Sequence, residues 1–176
     1  MAETAATDHR SLQMTVLMTP DTANFAGNVH GGHILKLLDQ VAFSCASRYS
    51  GRYAVTMSVD QVVFRARIYV GELVTFRASI NFTGTTSMEV GIRVEAENIT
   101  SRALRHVVTC YFTMVAVDDA FRPCPVPELR VDSAEGRRRW LAARLRREFR
   151  REVEQRSLEF RRHPEDFVGE LDGEPH

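Results

Sequence analysis

One stretch of helical periodicity, followed by four stretches of β character joined by very short links, limits this chain more than any other feature of its sequence. From Gly31 onward Ile34, Leu35, Leu38, Val41, Ala42, Cys45 and Ala46 recur at spacings of three and four, the signature of a helix with one buried face. Ser50 and Gly51 interrupt the pattern, and glycine takes readily to the left-handed conformation that ends a helix. The spacing predicts one helix of about five turns. Thereafter Tyr53 to Val63, Glu72 to Asn81, Ser87 to Ala96 and Arg105 to Val117 alternate or run apolar, separated by Gly71, by Gly84-Thr85-Thr86 and by the turn from Asn98 to Ser101. Links this short join antiparallel neighbours, so the last three stretches predict a meander. A sheet with a single early helix has to bury one face against it, which makes the class α+β.

Around this centre the sequence is punctuated clearly. Residues 1–12 are small and polar without periodicity and predict an unstructured lead-in. Met14 to Met18 reads as a strand stopped by Thr19 and Pro20, and Asp21 to Val29 as a loop rich in turn formers. Prolines at 123, 125 and 127 predict an extended exit from the sheet. A second helix is expected from Ala134 to about Phe160, with Leu141, Leu145, Phe149 and Val153 recurring every four residues beside Trp140. Eleven arginines face five glutamates between 133 and 163. Two readings of that helix stand: a basic face for nucleic acid or another acidic partner, and a solvated helix that packs one stripe on its own domain. The formal charge of the whole chain is zero, so no net field steers it to nucleic acid, and none is expected as a partner. The organisation expected is a lead-in over 1–12, one core domain over 13–130, a helical extension over 131–163 and a tail over 164–176. With 176 residues the chain is long enough for one real core.

Cys45, Cys110 and Cys124 are far apart and match no zinc or redox pattern, so they read as ordinary thiols of a reducing compartment. The first dozen residues carry no basic segment followed by an apolar run, and no stretch reaches the roughly 18 apolar residues of a membrane span. A cytoplasmic protein without a membrane partner is the expectation.

The chemistry concentrates in Gly27-Asn28-Val29-His30-Gly31-Gly32-His33-Ile34-Leu35-Lys36-Leu37-Leu38-Asp39. Paired glycines at a helix entrance let a ligand approach the backbone, whose unpaired N–H groups suit a developing negative oxygen; the same glycines also serve a tight turn into a packed helix. Asp39 lies among apolar neighbours, where a carboxylate is costly unless paired or useful, and it also fits a polar side shared with Lys36 and Gln40. His30 and His33, three apart, lack the carboxylate or cysteine neighbour a metal site would need, and they read instead as residues of the pocket mouth. No metal and no cofactor are called for.

The run Asn28-Val29-His30-Gly31-Gly32 with Ile34-Leu35-Lys36, followed by Asp39, resembles the signature of hotdog-fold acyl-CoA thioesterases, both the single-domain bacterial enzymes and the two-domain cytosolic, brain-type hydrolases. Residues 62–72 (VVFRARIYVGE), 84–90 (GTTSMEV), 94–99 (VEAENI) and 111–118 (YFTMVAVD) resemble the family's strands in the same order. The likeness runs from about residue 13 to 130. It implies an antiparallel sheet wrapped around one long helix, hydrolysis of acyl-CoA to free CoA and a carboxylic acid, and Asp39 as base or nucleophile. Asn28 matches the asparagine that the two-domain enzymes place before the paired glycines. Where the family commonly has a proline or aromatic residue, this chain has Arg65-Ala66-Arg67, a departure at the pocket rim or the nucleotide contact.

Spacing adds a further step. Asp39 lies seven residues beyond Gly32, about 10 Å along a helix at 1.5 Å per residue, too far for both to serve one carbonyl. A second chain is therefore expected to complete the site, giving a homodimer with shared active sites, with a trimer of dimers as a higher form. Gly31, Gly32 and His33 supply the oxyanion end, and Asp39 comes from the partner. CoA phosphates call for basic groups, for which Arg65, Arg67 and Arg93 are candidates; Thr85, Thr86 and Ser87 are placed at pantetheine or phosphate, and Met57, Phe43 and Phe64 along the acyl channel, though hairpin and core duty explain them too. Hotdog folds also host hydratases, so an acyl-CoA hydratase or dehydratase using His30 or His33 is an alternative, as is a non-catalytic acyl-CoA binder or scaffold acting through the basic helix.

Overall fold

The computed structural model describes residues 9–163; most of the expected lead-in (1–8) and the expected tail (164–176) lie outside the described residues. The chain divides into two compact units, one up to Arg130 and one from Val131.

In the first unit the strands are β1 (Ser11–Leu17), β2 (Tyr53–Val59), β3 (Val63–Phe64), β4 (Glu72–Thr83), β5 (Ser87–Asn98) and β6 (Leu104–Val117), with helix α1 at Gly31–Ser50. They form one antiparallel sheet in the order β1-β4-β5-β6-β2, with β3 also on β6. The α+β class and the meander β4-β5-β6 are as expected. α1 lies against β1, β2, β4, β5 and β6. Alternate residues of the strands close over it: Val74, Phe76, Ala78 and Ile80 of β4, Met88, Val90, Ile92 and Val94 of β5, and Val108, Cys110, Phe112 and Met114 of β6 are all buried. Taking one such large apolar side chain out of water contributes roughly 1.5–3 kcal/mol, so this layer sets the stability of the unit.

Several boundaries differ from those the sequence implies. Ser11 and Leu12 already belong to β1, whose register with β4 begins at Ser11 opposite Ser79. The expected strand Tyr53 to Val63 is broken in two. A register shift between Thr56 and Ser58 bulges β2 at Met57, which bends a strand locally; the ladder then continues to Val59 opposite Phe112, and after a short gap the chain pairs with β6 again at Val63 opposite Thr109. In α1 Leu37 is buried and Leu35 is 42% exposed, which reverses the expectation for Leu35. Gly51 caps the helix as expected, with φ of 65° and its N–H on the Ser47 carbonyl.

The second unit contains α2 (Ala134–Arg162), capped by Ser133, whose side chain accepts the Gly136 N–H. Pairs four or three apart along it, such as Glu135 with Arg138 and Arg139 and Arg144 with Glu148, support the helix from its own surface. Along α2 the side chains of Leu141, Leu145, Phe149 and Val153 are 53%, 50%, 55% and 64% exposed.

Candidate active site

The loop before α1 is built by Asn24, a residue that carries no motif in the sequence. Its side-chain oxygen accepts the N–H groups of Ala26 at 2.9 Å and Asn28 at 3.1 Å, and its own N–H donates to the Asn28 carbonyl at 2.6 Å. A side chain that folds back on its own loop in this way is what asparagine does well in turns. Asn28 itself is half-buried, bridges to Tyr69 and makes no side-chain hydrogen bond among the described residues. Its amide is thus held in place by the backbone and left available.

Behind Asn28 the segment 67–72 is clamped from β6. Arg105 donates to both carboxylate oxygens of Glu72, at 2.7 and 2.6 Å, and to the Arg67 carbonyl at 2.6 Å, while the Tyr69 N–H also reaches Glu72 at 2.9 Å. Burial pushes the Glu72 carboxyl up, but the Arg105 bonds and charge and the Tyr69 N–H outweigh it and hold the group below the usual carboxylate range. The Val29 N–H donates to the Ile68 carbonyl, so the clamp fixes the backbone on which Asn28 sits. Only a polar residue at each of two strand starts hinted at this pair.

At the entrance of α1, His30 is the capping residue, and its Nδ1 accepts the Gly32 N–H at 2.9 Å. A Cβ at position 32 would lie 3.0 Å from that nitrogen, so glycine is what lets the imidazole fold over the first turn. The His33 N–H donates to the His30 carbonyl at 2.9 Å. Of the expected oxyanion donors, then, His33 is used within the helix and Gly32 is covered by His30. Phe64 packs over the entrance, 3.7 Å from where a Gly31 side chain would begin. Met57 is 64% exposed at the β2 bulge.

Asp39 faces outward from α1 on the side turned to β2, where the Thr56 hydroxyl donates to it at 2.6 Å. Thr56 had no motif to mark it, since the contact exists only because β2 returns beside α1. The two line an open cleft of about 430 Å³ with Gln40, Phe43, Tyr53, Ala54 and Val55. Gly32 and Asp39 do not meet within one chain: they stand two helical turns apart, as the spacing implied. Arg65 and Arg67 are exposed beside the clamp. Arg93 is paired with Glu95 at 3.0 Å on the exposed side of the sheet. Thr85, Thr86 and Ser87 lie at the end of the sheet away from Asn28, where Ser87 stands opposite Val115 and so level with Val55 of β2; the Thr85 carbonyl accepts the Val126 N–H and the Thr86 carbonyl the Ala116 N–H. Burial pushes the Cys45 and Cys110 thiols up to about 12, which leaves neither as a nucleophile. Among the described residues no three His, Cys, Asp or Glu side chains gather around a common point.

Residues 26–103 match the family described as Thioesterase superfamily. The chain is 47% identical over 143 residues to Protein VdlD of Helicobacter pylori, covering 81% of this chain and 82% of that protein. It is 31% identical over 126 residues to the cytosolic acyl coenzyme A thioester hydrolase of Rattus norvegicus, across 70% of this chain but 33% of that protein, so it spans a third of that relative's length. An apo-hexameric acyl-CoA thioesterase of known structure superposes with a TM-score of 0.79 at 31% identity, covering 81% of this chain and 92% of the other.

Proposed function

The chain belongs to the thioesterase superfamily of hotdog-fold acyl-CoA hydrolases, and on that premise we propose that it cleaves acyl-CoA at a site made by two copies, with Asp39 from one and Asn28 with the entrance of α1 from the other. The observation that carries this reading is the Asp39 carboxylate itself, oriented by Thr56 at 2.6 Å in an open cleft and two helical turns from the only glycine pair.

The open side of β2 supports a partner there. β2 is an edge strand, paired only with β6, and its side chains Tyr53, Met57 and Val59 are 56%, 64% and 45% exposed. With Leu35 on the adjoining face of α1 they form an apolar border around Asp39. An exposed apolar edge of this kind invites another strand, and a two-fold pairing of β2 with its own copy would bury the border and bring each Asp39 toward the partner's helix entrance. The acyl-CoA thioesterase that superposes on this chain is hexameric, and three such pairs would make a hexamer.

In the reaction the thioester oxygen replaces His30 on the Gly32 N–H, with Gly31 beside it, as His30 turns away. Donors fixed in position before negative charge develops are typically worth a factor of about 10²–10³ each. Asn28 orients the carbonyl or the water. Asp39 either takes a proton from that water as it attacks the carbonyl carbon, or attacks directly to give an anhydride that water then opens. In both routes the C–S bond breaks, CoA leaves as the thiolate and takes up a proton, and the acid is released. Thr56 donates to one Asp39 oxygen and leaves the other for chemistry. A cytoplasmic location follows the cytosolic relatives; among the described residues no helix is long and apolar enough to cross a membrane.

Release of CoA thiol from acyl-CoA of several chain lengths, followed with a thiol reagent, tests this function. Stoichiometric thiol that disappears with Asp39→Asn is expected. A folded protein that binds acyl-CoA or hydrates its chain without freeing thiol would overturn it, because hydration leaves the thioester intact.

A further inference from the structure

The Asp39 cleft has an aromatic end that the hydrolytic step does not use. Beyond Asp39 and Thr56 its lining includes Phe43, Tyr53 and Ala54, and the Phe43 and Tyr53 rings meet edge to face, with 5.2 Å between centres and 60° between planes. Phe121 meets Tyr53 in the same manner, at 6.1 Å and 69°. Edge-to-face contact is a favoured arrangement of aromatic rings and contributes beyond the area it buries. Tyr53 is thus held by two rings although it is 56% exposed.

The backbone is strained where it presents Phe121. This residue has a left-handed conformation, with φ of 56°, in which a side chain is crowded and glycine is the relaxed choice. Asp118 locks the turn. Its carboxylate accepts the Ala120 and Arg122 N–H groups, both at 2.9 Å, and the Arg122 guanidinium at 2.9 Å, while its carbonyl accepts the Phe121 N–H at 2.9 Å. Glycine would make this turn without strain, so a bulky ring kept there points to a use for the ring.

Two lengths place the aromatic end relative to the carboxylate. Phe43 lies four residues beyond Asp39 along α1, about 6 Å, and Tyr53 lies three residues before Thr56 along β2, about 10 Å. The space between suits a hydrocarbon tail. None of the residues lining the cleft is cationic, so the phosphates of CoA meet no counter-charge there, whereas an apolar tail meets aromatic walls. Carbon–carbon bonds of about 1.5 Å in a zigzag advance about 1.3 Å per carbon, so about 6–10 Å holds roughly five to eight carbons.

We propose that Tyr53 is the end wall of the acyl subsite and that Phe121 is a positioning residue that holds it there, so that the site takes short and medium acyl chains and rejects long ones. This role rests on Asp39 being the hydrolytic carboxylate, from which the chain length is measured. Without the Phe121 ring, Tyr53 is free to turn aside and a longer tail can pass.

The test is thiol release by the full chain with acyl-CoA from butyryl to dodecanoyl, read as kcat/KM at each length. The parent should fall at least tenfold from hexanoyl to dodecanoyl. Y53A should raise the dodecanoyl-to-hexanoyl ratio at least tenfold, and F121G, which removes the ring while relaxing the turn, at least threefold. F121Y, which keeps a ring, should keep the parent's ratio. A loss shared equally by every chain length is what a purely structural role would give, and it overturns the proposal, as does a parent that hydrolyses dodecanoyl-CoA as well as hexanoyl-CoA. Asp39→Asn separates the two readings: if it abolishes thiol release at every length while Y53A and F121G leave the profile unshifted, the wall alone is wrong, whereas release that survives Asp39→Asn removes the site and the wall together.

Discussion

In the first unit the inward face of β4, β5 and β6 is covered by α1 to within a few per cent, whereas α2 leaves its four ridge residues half or more exposed. Both units contain one long helix with an apolar stripe, and the stripes meet different fates because the chain continues differently after each helix. After α1 come strands that return beside it, and their β-branched and aromatic residues match its buried side. After α2 comes no further strand or helix among the described residues, and the helix is supported by ion pairs along its own surface, each worth only a few tenths of a kcal/mol. Exposed apolar side chains in the first unit include Tyr53, Met57 and Val59 on the β2 edge, and in the second they follow one side of α2.

Substitutions separate the two regions by size of effect. The largest loss is expected from Asp39→Asn, at least about 100-fold in turnover, since removing a general base or nucleophile forfeits two or more orders of magnitude. Asn28→Ala should fall in the same range with the oligomer intact by size-exclusion chromatography, because the Asn28 side chain supports no other group among the described residues. Near-normal rates in either folded variant would remove that residue from the site. Thr56→Val should cost about tenfold in kcat with little change in KM, the scale of one hydrogen bond to a charged group at roughly 1.5 kcal/mol; an unchanged kcat would mean that Asp39 is oriented by the partner instead. At the small end, deleting the chain from Ser133 onward should leave thiol release within about twofold of the parent. A truncated protein that assembles normally yet loses activity would place α2 in the active site and undo the contrast between the units.

Much of the first unit could be read in advance because its signals are local. The period of three and four from Ile34, the stop at Gly51 and the alternation along Glu72 to Val117 each depend on neighbours in sequence, and each corresponds to an observed element. Features that need a distant partner could not be read. Thr56 is an ordinary strand threonine until β2 returns beside α1. Glu72 and Arg105 are two plain polar residues until two strand starts meet, and no residue type announces the bulge at Met57. The paired glycines were conspicuous, but the His30 ring over the Gly32 N–H was not, because its position depends on a side chain folding backward. Thr85 to Ser87 are another case: that Ser87 stands level with Val55, two strands away through Val115, depends on the register of three strands.

The central claim is that each hydrolytic site is shared by two copies, and subunit mixing tests it most directly. A heterodimer of one Asn28→Ala chain and one Asp39→Asn chain would carry one doubly damaged site and one intact site if the residues come from opposite chains. Mixed in equal amounts and allowed to exchange, half the dimers are heterodimers with one good site of two, so activity should recover from the mutant level to roughly a quarter of the parent. If exchange is demonstrated by mass and activity remains at the level of the separate variants, both residues of each site belong to one chain and the shared site is wrong.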